Sequence, residues 1–303
     1  MPDKNEERRS TRLIIVSGLS GSGKSVALNV LEDLGFYCID NLPAGLLPSL
    51  LPEVTHAGGG VTERIGVGID ARNPATDLEA LPTLVQEMKQ GGIECDVIFL
   101  QAEDDILLKR YSETRRRHPM GDAGLALRDA IARERQLLGP VINSADLIID
   151  TTRTSVYELR DAIRERVVTR KPQSLSILIE SFGYKHGIPT DADFVFDLRC
   201  LPNPYWEAGL RPLTGLDAEV AAFLDAEPLV QRMFGDILEF LRRWIPEYET
   251  FHRSYLTIAV GCTGGQHRSV YMAEKLAAAL ADNHSPIHTR HNELPGTAAE
   301  GGP

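Results

Sequence analysis

The chain has 303 residues, 43% hydrophobic and 25% charged, a globular composition long enough for about two domains. Its 32 basic and 43 acidic residues leave a formal charge of -11, which argues against a generally cationic surface and confines any nucleic-acid contact to a local patch. Four widely spaced cysteines, Cys38, Cys95, Cys200 and Cys262, form no C-x-x-C pair and disfavour a zinc cluster or disulfide framework.

Residues 1–12 are polar and charged, lack the apolar centre of a signal peptide, and read as a flexible terminus. No apolar run approaches the roughly 20 residues that cross a bilayer, so a cytoplasmic protein without membrane contact is expected. The run Leu13-Ile14-Ile15-Val16 then predicts a buried strand. It delivers the chain to Gly18-Leu19-Ser20-Gly21-Ser22-Gly23-Lys24-Ser25, which fits the phosphate-loop pattern G-x-x-x-x-G-K-[ST]. Glycines let backbone N–H groups approach phosphate oxygens, and a helix from about Lys24 points its positive end at the anion. Lys24 should reach the β- and γ-phosphates, and the Ser25 hydroxyl should ligate Mg²⁺. Val26, Leu28, Val30, Leu31 and Leu34 give that helix an apolar face.

Strand-like runs alternate with helical patterns as far as Thr152, the rhythm of a parallel α/β sheet covered on both faces. Strand 36–40 ends on Asp40 and Asn41, which either approach a ligand or metal or form an Asx turn capping the helix over 43–51. A Gly-rich loop over 56–62 precedes strand 65–69. That strand emits Asp70-Ala71-Arg72-Asn73, where a carboxylate can hold Mg²⁺ and Arg72 can meet phosphate, or the four simply turn into the helix over 76–90. After strand 96–100, arginines 110 and 115–117 lie where small P-loop kinases place a lid, with a solvated basic face as the alternative. A helix over 125–138, strand 145–150 and a helix from Ser155 to about Val168 complete this half. Its residues, 13–168, form one predicted domain, and 169–174 a linker.

The second domain, 175–282, restarts with strand 175–181 and continues through strand 194–197, helices over 219–224 and 229–244, strand 255–260 and a helix ending near Ala281. Residues 283–303 have little apolar periodicity and read as a mobile tail. Cys262-Thr263-Gly264-Gly265-Gln266-His267-Arg268 has the C-x5-R spacing of cysteine phosphatases, between a strand and a helix. It can bind a phosphorylated ligand without chemistry, carry a nucleophilic thiolate, or be a structural turn; Gly261, where those enzymes usually have histidine, weighs toward binding alone. Lys185, His186 and Asp197 can complete that pocket, although His186 can equally cap a turn and Asp197 pair with Arg199.

Taken together, these motifs resemble the RapZ family of nucleotide-binding RNase adapter proteins. The matching residues are the phosphate loop with Val26-Ala27-Leu28, residues 32–43, Asp70-Ala71-Arg72-Asn73, residues 180–187, 201–204 and 211–215, and Gly261 to Tyr271. The resemblance spans nearly the whole folded chain. It implies an N-terminal P-loop NTPase domain of kinase-like topology with a parallel sheet, a smaller C-terminal α/β domain, and weak ATPase and GTPase activity. It assigns Gly18–Ser25 to ATP and Asp70–Asn73 to GTP, and makes Cys262–Arg268 the phosphate cradle of a glucosamine-6-phosphate sensor. A homo-oligomer is also implied, as is an adapter role presenting small RNA to an endoribonuclease. The ending after His288 has a single arginine and no lysine, so the tail should bind RNA poorly. Two classes of function stand at this point: a regulatory nucleotide-binding protein with a metabolite sensor, and a small-molecule kinase whose second domain supplies the acceptor. The absence of a recognisable general base for an acceptor hydroxyl tilts the balance to the regulator.

Overall fold

Leu13, Ile14, Ile15 and Val16 are fully enclosed, and their strand β1 (Arg12–Gly18) is buried along its whole length. Apolar residues without alternation are what a strand covered on both faces requires. The computed structural model describes residues 11–56, 64–114, 117–121, 125–168, 175–251, 253–284 and 286–294. The expected flexible residues up to 10, most of the Gly-rich loop, Arg115 and Arg116, the linker 169–174 and the chain after 294 lie outside the described residues. The chain divides into two compact units, 1–169 and 170–303.

In the first unit β1 leads to α1 (Lys24–Asp33), β2 (Tyr37–Ile39), α2 (Leu47–His56), β3 (Arg64–Gly68), α3 (Ala75–Gln90), β4 (Glu94–Gln101), α4 (Asp104–Thr114), α5 (Leu127–Leu137), α6 (Gly139–Asn143), β5 (Leu147–Asp150) and α7 (Val156–Ala162). The strands form one parallel sheet in the order β2-β3-β1-β4-β5, with Leu13 opposite Ile65 on one side and Cys95 on the other. α1 buries Ala27, Leu28, Val30 and Leu31, while Val26 and Leu34 of the expected apolar face are only partly covered. Ser155 caps α7 through a capping box, its hydroxyl accepting Glu158 N–H while the Glu158 carboxylate accepts Ser155 N–H. The helix expected to run to Val168 widens after Ala162 into a π-helical turn, Ile163–Val168.

The second unit holds β6 (Ser176–Gly183), β7 (Phe194–Asp197), α8 (Ala218–Asp225), α9 (Pro228–Thr250), β8 (Tyr255–Cys262), α10 (Arg268–Ala281) and β9 (Ile287–His291). Its sheet is also parallel, in the order β7-β8-β6-β9. Ile177, Ile179, Leu256, Ile258 and Val260 share a core with Leu238, Leu241 and Ile245 of α9 and Met272, Ala273 and Leu276 of α10.

β9 corrects the expectation of a mobile tail from residue 283. Ile287–His291 pairs with Ile177–Ser181, and Asn292 N–H continues the ladder to the Ser181 carbonyl at 3.0 Å. The segment Ile-His-Thr-Arg-His carries one aliphatic residue, so periodicity had nothing to register. Backbone pairing and His291 hold it instead: Nδ1 lies 3.0 Å from Ser181 Oγ and Nε2 3.1 Å from Glu274 Oε1. β9 thus contributes to the stability of the second unit. Truncation after 282 should destabilise it by on the order of 3 kcal/mol, as read by urea unfolding.

Candidate functional site

At the carboxyl end of β1 the backbone turns through Gly18 (φ 146°), Gly21 (88°) and Gly23 (111°), a range glycine adopts without strain. A Cβ on Gly18 would strike the Leu100 carbonyl of β4. Gly23 is the N-cap of α1, so Lys24 and Ser25 open the helix with N–H groups that have no intrahelical partner. Gly21, Gly23, Lys24 and Ser25 line a cavity of about 640 Å³ together with Asp40, Asp70, Arg72, Arg110 and Arg117. Lys24 Nζ donates to the Gly18 carbonyl at 2.7 Å. Burial pulls the Lys24 ammonium below its ordinary pKa, against the opposing pull of Glu134, Asp70 and Asp40.

The acidic wall comes from the ends of β2 and β3. Gly68 makes room for it, since a Cβ there would stand 2.5 Å from Asp40 Oδ1. Burial would raise Asp70, but bonds from the Arg72 side chain and backbone, with Lys24 nearby, hold its carboxyl below the usual value. Arg72 Nε and Nη2 grip both Asp70 oxygens at 2.5 to 3.1 Å. Asn73 plays a different part: its Oδ1 accepts Ala44 N–H at 2.6 Å and its Nδ2 reaches the Leu42 and Asp70 carbonyls. It ties the loop after β2 to the loop after β3, doing the capping considered for Asp40 and Asn41. Ala71 is buried beside it.

Arg110 of the expected lid is built in firmly. Its Nη1 donates to the Gly21 carbonyl and Thr151 Oγ1, each at 3.0 Å, and its Nη2 to the Thr151 carbonyl at 2.6 Å. The Thr151 hydroxyl in turn lies 3.0 Å from the Ser22 carbonyl.

Two residues that the sequence did not single out brace the loop from beneath. Glu134 of α5, fully buried, accepts Ser20 N–H at 2.9 Å and Ser20 Oγ–H at 2.6 Å. His118 Nε2 stands 3.2 Å from the same carboxylate, and Met120 N–H donates to His118 Nδ1 at 3.1 Å, which places the ring proton on Nε2. Burial would raise Glu134, yet the bonds from His118 and Ser20 and the charge of Lys24 hold it below the usual value. A signal existed in principle: a glutamate on the buried side of an amphipathic helix needs partners.

In the second unit the sequence-predicted residues gather at the carboxyl ends of three adjacent strands: Lys185 and His186 after β6, Asp197 on β7, and Cys262 at the end of β8. Thr263 is exposed and Gly264 half-buried, while Gly265 takes φ 75° beneath them. His267 is buried, with Nε2 3.3 Å from the Leu210 carbonyl. Lys185 and His186 are exposed, and Lys185 N–H donates to the Thr263 carbonyl at 3.3 Å. Asp197 is committed to Arg199, whose Nε and Nη2 bond both its oxygens at 2.7 to 3.0 Å and whose guanidinium stacks 3.8 Å from the Tyr184 ring centroid. The pairing alternative for Asp197 is thus the one realised.

Family models match both parts of this arrangement: the RapZ-like N-terminal domain over residues 11–171 and the RapZ C-terminal domain over 175–295. The chain belongs to the RapZ family. A nucleotide-binding protein of Marinobacter nauticus is 53% identical over 291 residues, covering 96% of this chain and 99% of its own. Another, of Alkalilimnicola ehrlichii, is 55% identical over 289 residues, 94% of this chain and 99% of that protein. Among solved structures, a shikimate kinase of Acinetobacter baumannii superposes with a TM-score of 0.35 at 16% identity, over 53% of this chain and 94% of that one. Among the described residues of this RapZ-family chain no helix is long and apolar enough to cross a membrane.

The Glu134 brace carries its own pH dependence. Its folded pKa lies below the ordinary 4.5, so its stabilising contribution is complete above that pH and is lost as pH falls through the folded value. Glu134→Ala should cost about 2–4 kcal/mol in urea unfolding at pH 7, since Ser20 N–H and the His118 ring lose a buried acceptor. The loss should shrink in acid, below pH 4.5.

Proposed function

We propose that the N-terminal unit binds one Mg²⁺–nucleoside triphosphate at a time and uses it to set a regulatory state. The observation that carries this reading is that residues from both stretches the resemblance divides between ATP and GTP line one cavity: Lys24 and Ser25 from the first, Asp70 and Arg72 from the second. The donor set fits the ligand. Glycine-shaped backbone and a helix start suit phosphate oxygens, and the Ser25 hydroxyl with the Asp70 carboxylate suits a hard cation that keeps several waters. Bound Mg²⁺ would neutralise phosphate charge; Lys24 would leave the Gly18 carbonyl for the β- and γ-phosphates, and Arg110 and Arg117 would face the terminal phosphate.

Hydrolysis should be slow. Asp70 is locked to Arg72 and weakly basic, so it is a poor general base for an attacking water. In the C-terminal unit the loop 262–268 would hold the phosphate of an amino-sugar phosphate. A homo-oligomer that presents small RNA to an endoribonuclease, through surfaces other than the tail, is the adapter role in keeping with such a two-ligand regulator.

Isothermal titration tests the single-site reading. ATP and GTP should each bind with unit stoichiometry and displace one another, and Lys24→Ala should weaken both by about 10- to 100-fold. The same variant should keep its affinity for glucosamine 6-phosphate. Additive binding of the two nucleotides would overturn the shared cavity.

A further inference from the structure

Cys262 is 2% exposed, and two polar groups reach its sulfur. Gly265 N–H reaches Sγ at 3.2 Å, and Ser269 Oγ lies 3.2 Å away on the first turn of α10. Burial alone would raise the thiol, but the Ser269 hydroxyl and N–H, the Gly265 N–H and the Arg268 charge hold it below the ordinary thiol pKa. Arg268, 4% exposed, is fixed beside the loop: Nη1 donates to the Arg199 and Leu201 carbonyls at 3.1 and 2.9 Å, and Nη2 to Thr263 Oγ1 at 3.4 Å. Its Nε–H is buried with no acceptor. Cysteine, arginine six residues on and hydroxyl one further thus share one turn of backbone at a helix start. Gly261 is required by packing, since a Cβ there would run into the Phe182 ring.

We propose that this loop is a second catalytic centre, a phosphomonoesterase in which Cys262 is the nucleophile, Arg268 the phosphate clamp and Ser269 the residue that positions the thiolate. The proposal rests on the reading of residues 262–268 as a phosphate cradle. The Cys262 thiolate attacks phosphorus, an S–P bond forms as the ester P–O bond breaks, and the leaving oxygen takes a proton from water. A second water then attacks phosphorus, breaks the S–P bond and restores the thiolate, so that ester and water give alcohol and inorganic phosphate. Asp197 is no proton donor, because the bidentate bond from Arg199 keeps it ionised. The substrates are therefore phosphomonoesters with a weakly basic leaving oxygen, such as aryl or anomeric phosphates.

The full chain is assayed with para-nitrophenyl phosphate in EDTA and without nucleotide, so that metal-dependent chemistry elsewhere is silent. Phosphate release is expected, with a loss of about 100-fold or more in Cys262→Ser. Acid quench followed by mass spectrometry should place a phosphate on Cys262. Ser269→Ala should move the pH midpoint of iodoacetamide labelling at Cys262 upward, which a merely structural serine would not do. An inert wild type, or activity kept by Cys262→Ser, overturns the proposal. Titration of Cys262→Ser with inorganic phosphate separates the two readings: binding without wild-type turnover leaves the cradle standing and ends only the catalysis, and no binding ends both.

Discussion

A backbone that must offer N–H groups to an anion has to be fixed by its other groups, and the turn after β1 is fixed largely through its carbonyls. Its carbonyls are tied back: Gly18 to Lys24 Nζ, Gly21 to Arg110, and Ser22 to the Thr151 hydroxyl. Three of its N–H groups are consumed: Leu19 by the Leu100 carbonyl and Ser22 by the Leu19 carbonyl, each at 3.0 Å, and Ser20 by Glu134 beneath the loop. Loops with glycines at positive φ lose more entropy on ordering than ordinary turns do, so they hold a shape only when neighbours fix them. Glu134, Arg110 and Thr151 come from α5, α4 and the end of β5, which makes the loop a joint product of half the first unit.

That dependence explains what could be read from the residues alone. The run Leu13–Val16, the glycine spacing and the apolar face of α1 are local patterns; the strand is buried as read, and of the helix face Leu28, Val30 and Leu31 are buried. Asp70 and Arg72 were legible as strand-end residues, but that they share a cavity with Lys24 follows from the order β2-β3-β1, which no local pattern encodes. Glu134 was hard to read because a buried polar residue in an amphipathic helix looks like a solvated one until its partners, more than a hundred residues away for Ser20, are known, and His118 lies between helices where no periodicity marks it. β9 was missed for the opposite reason: pairing with β6 and the bonds of one histidine hold it, and they leave no hydrophobic signature.

The two glycine loops differ in how their cations are mounted, and on the function proposed above that difference would sort their ligands. Lys24 is a flexible point charge, parked on a carbonyl of its own loop and free to follow a chain of phosphates. Arg268 is a planar group pinned by two carbonyls and a hydroxyl, able to serve one fixed phosphate only. A mobile cation with nearby carboxylates for Mg²⁺ suits a polyphosphate whose charge moves during binding. An immobile one on the same loop as a sulfur that Gly265 N–H and Ser269 Oγ approach would suit a single phosphoryl group held still, which is the geometry that either sensing or displacement at phosphorus requires.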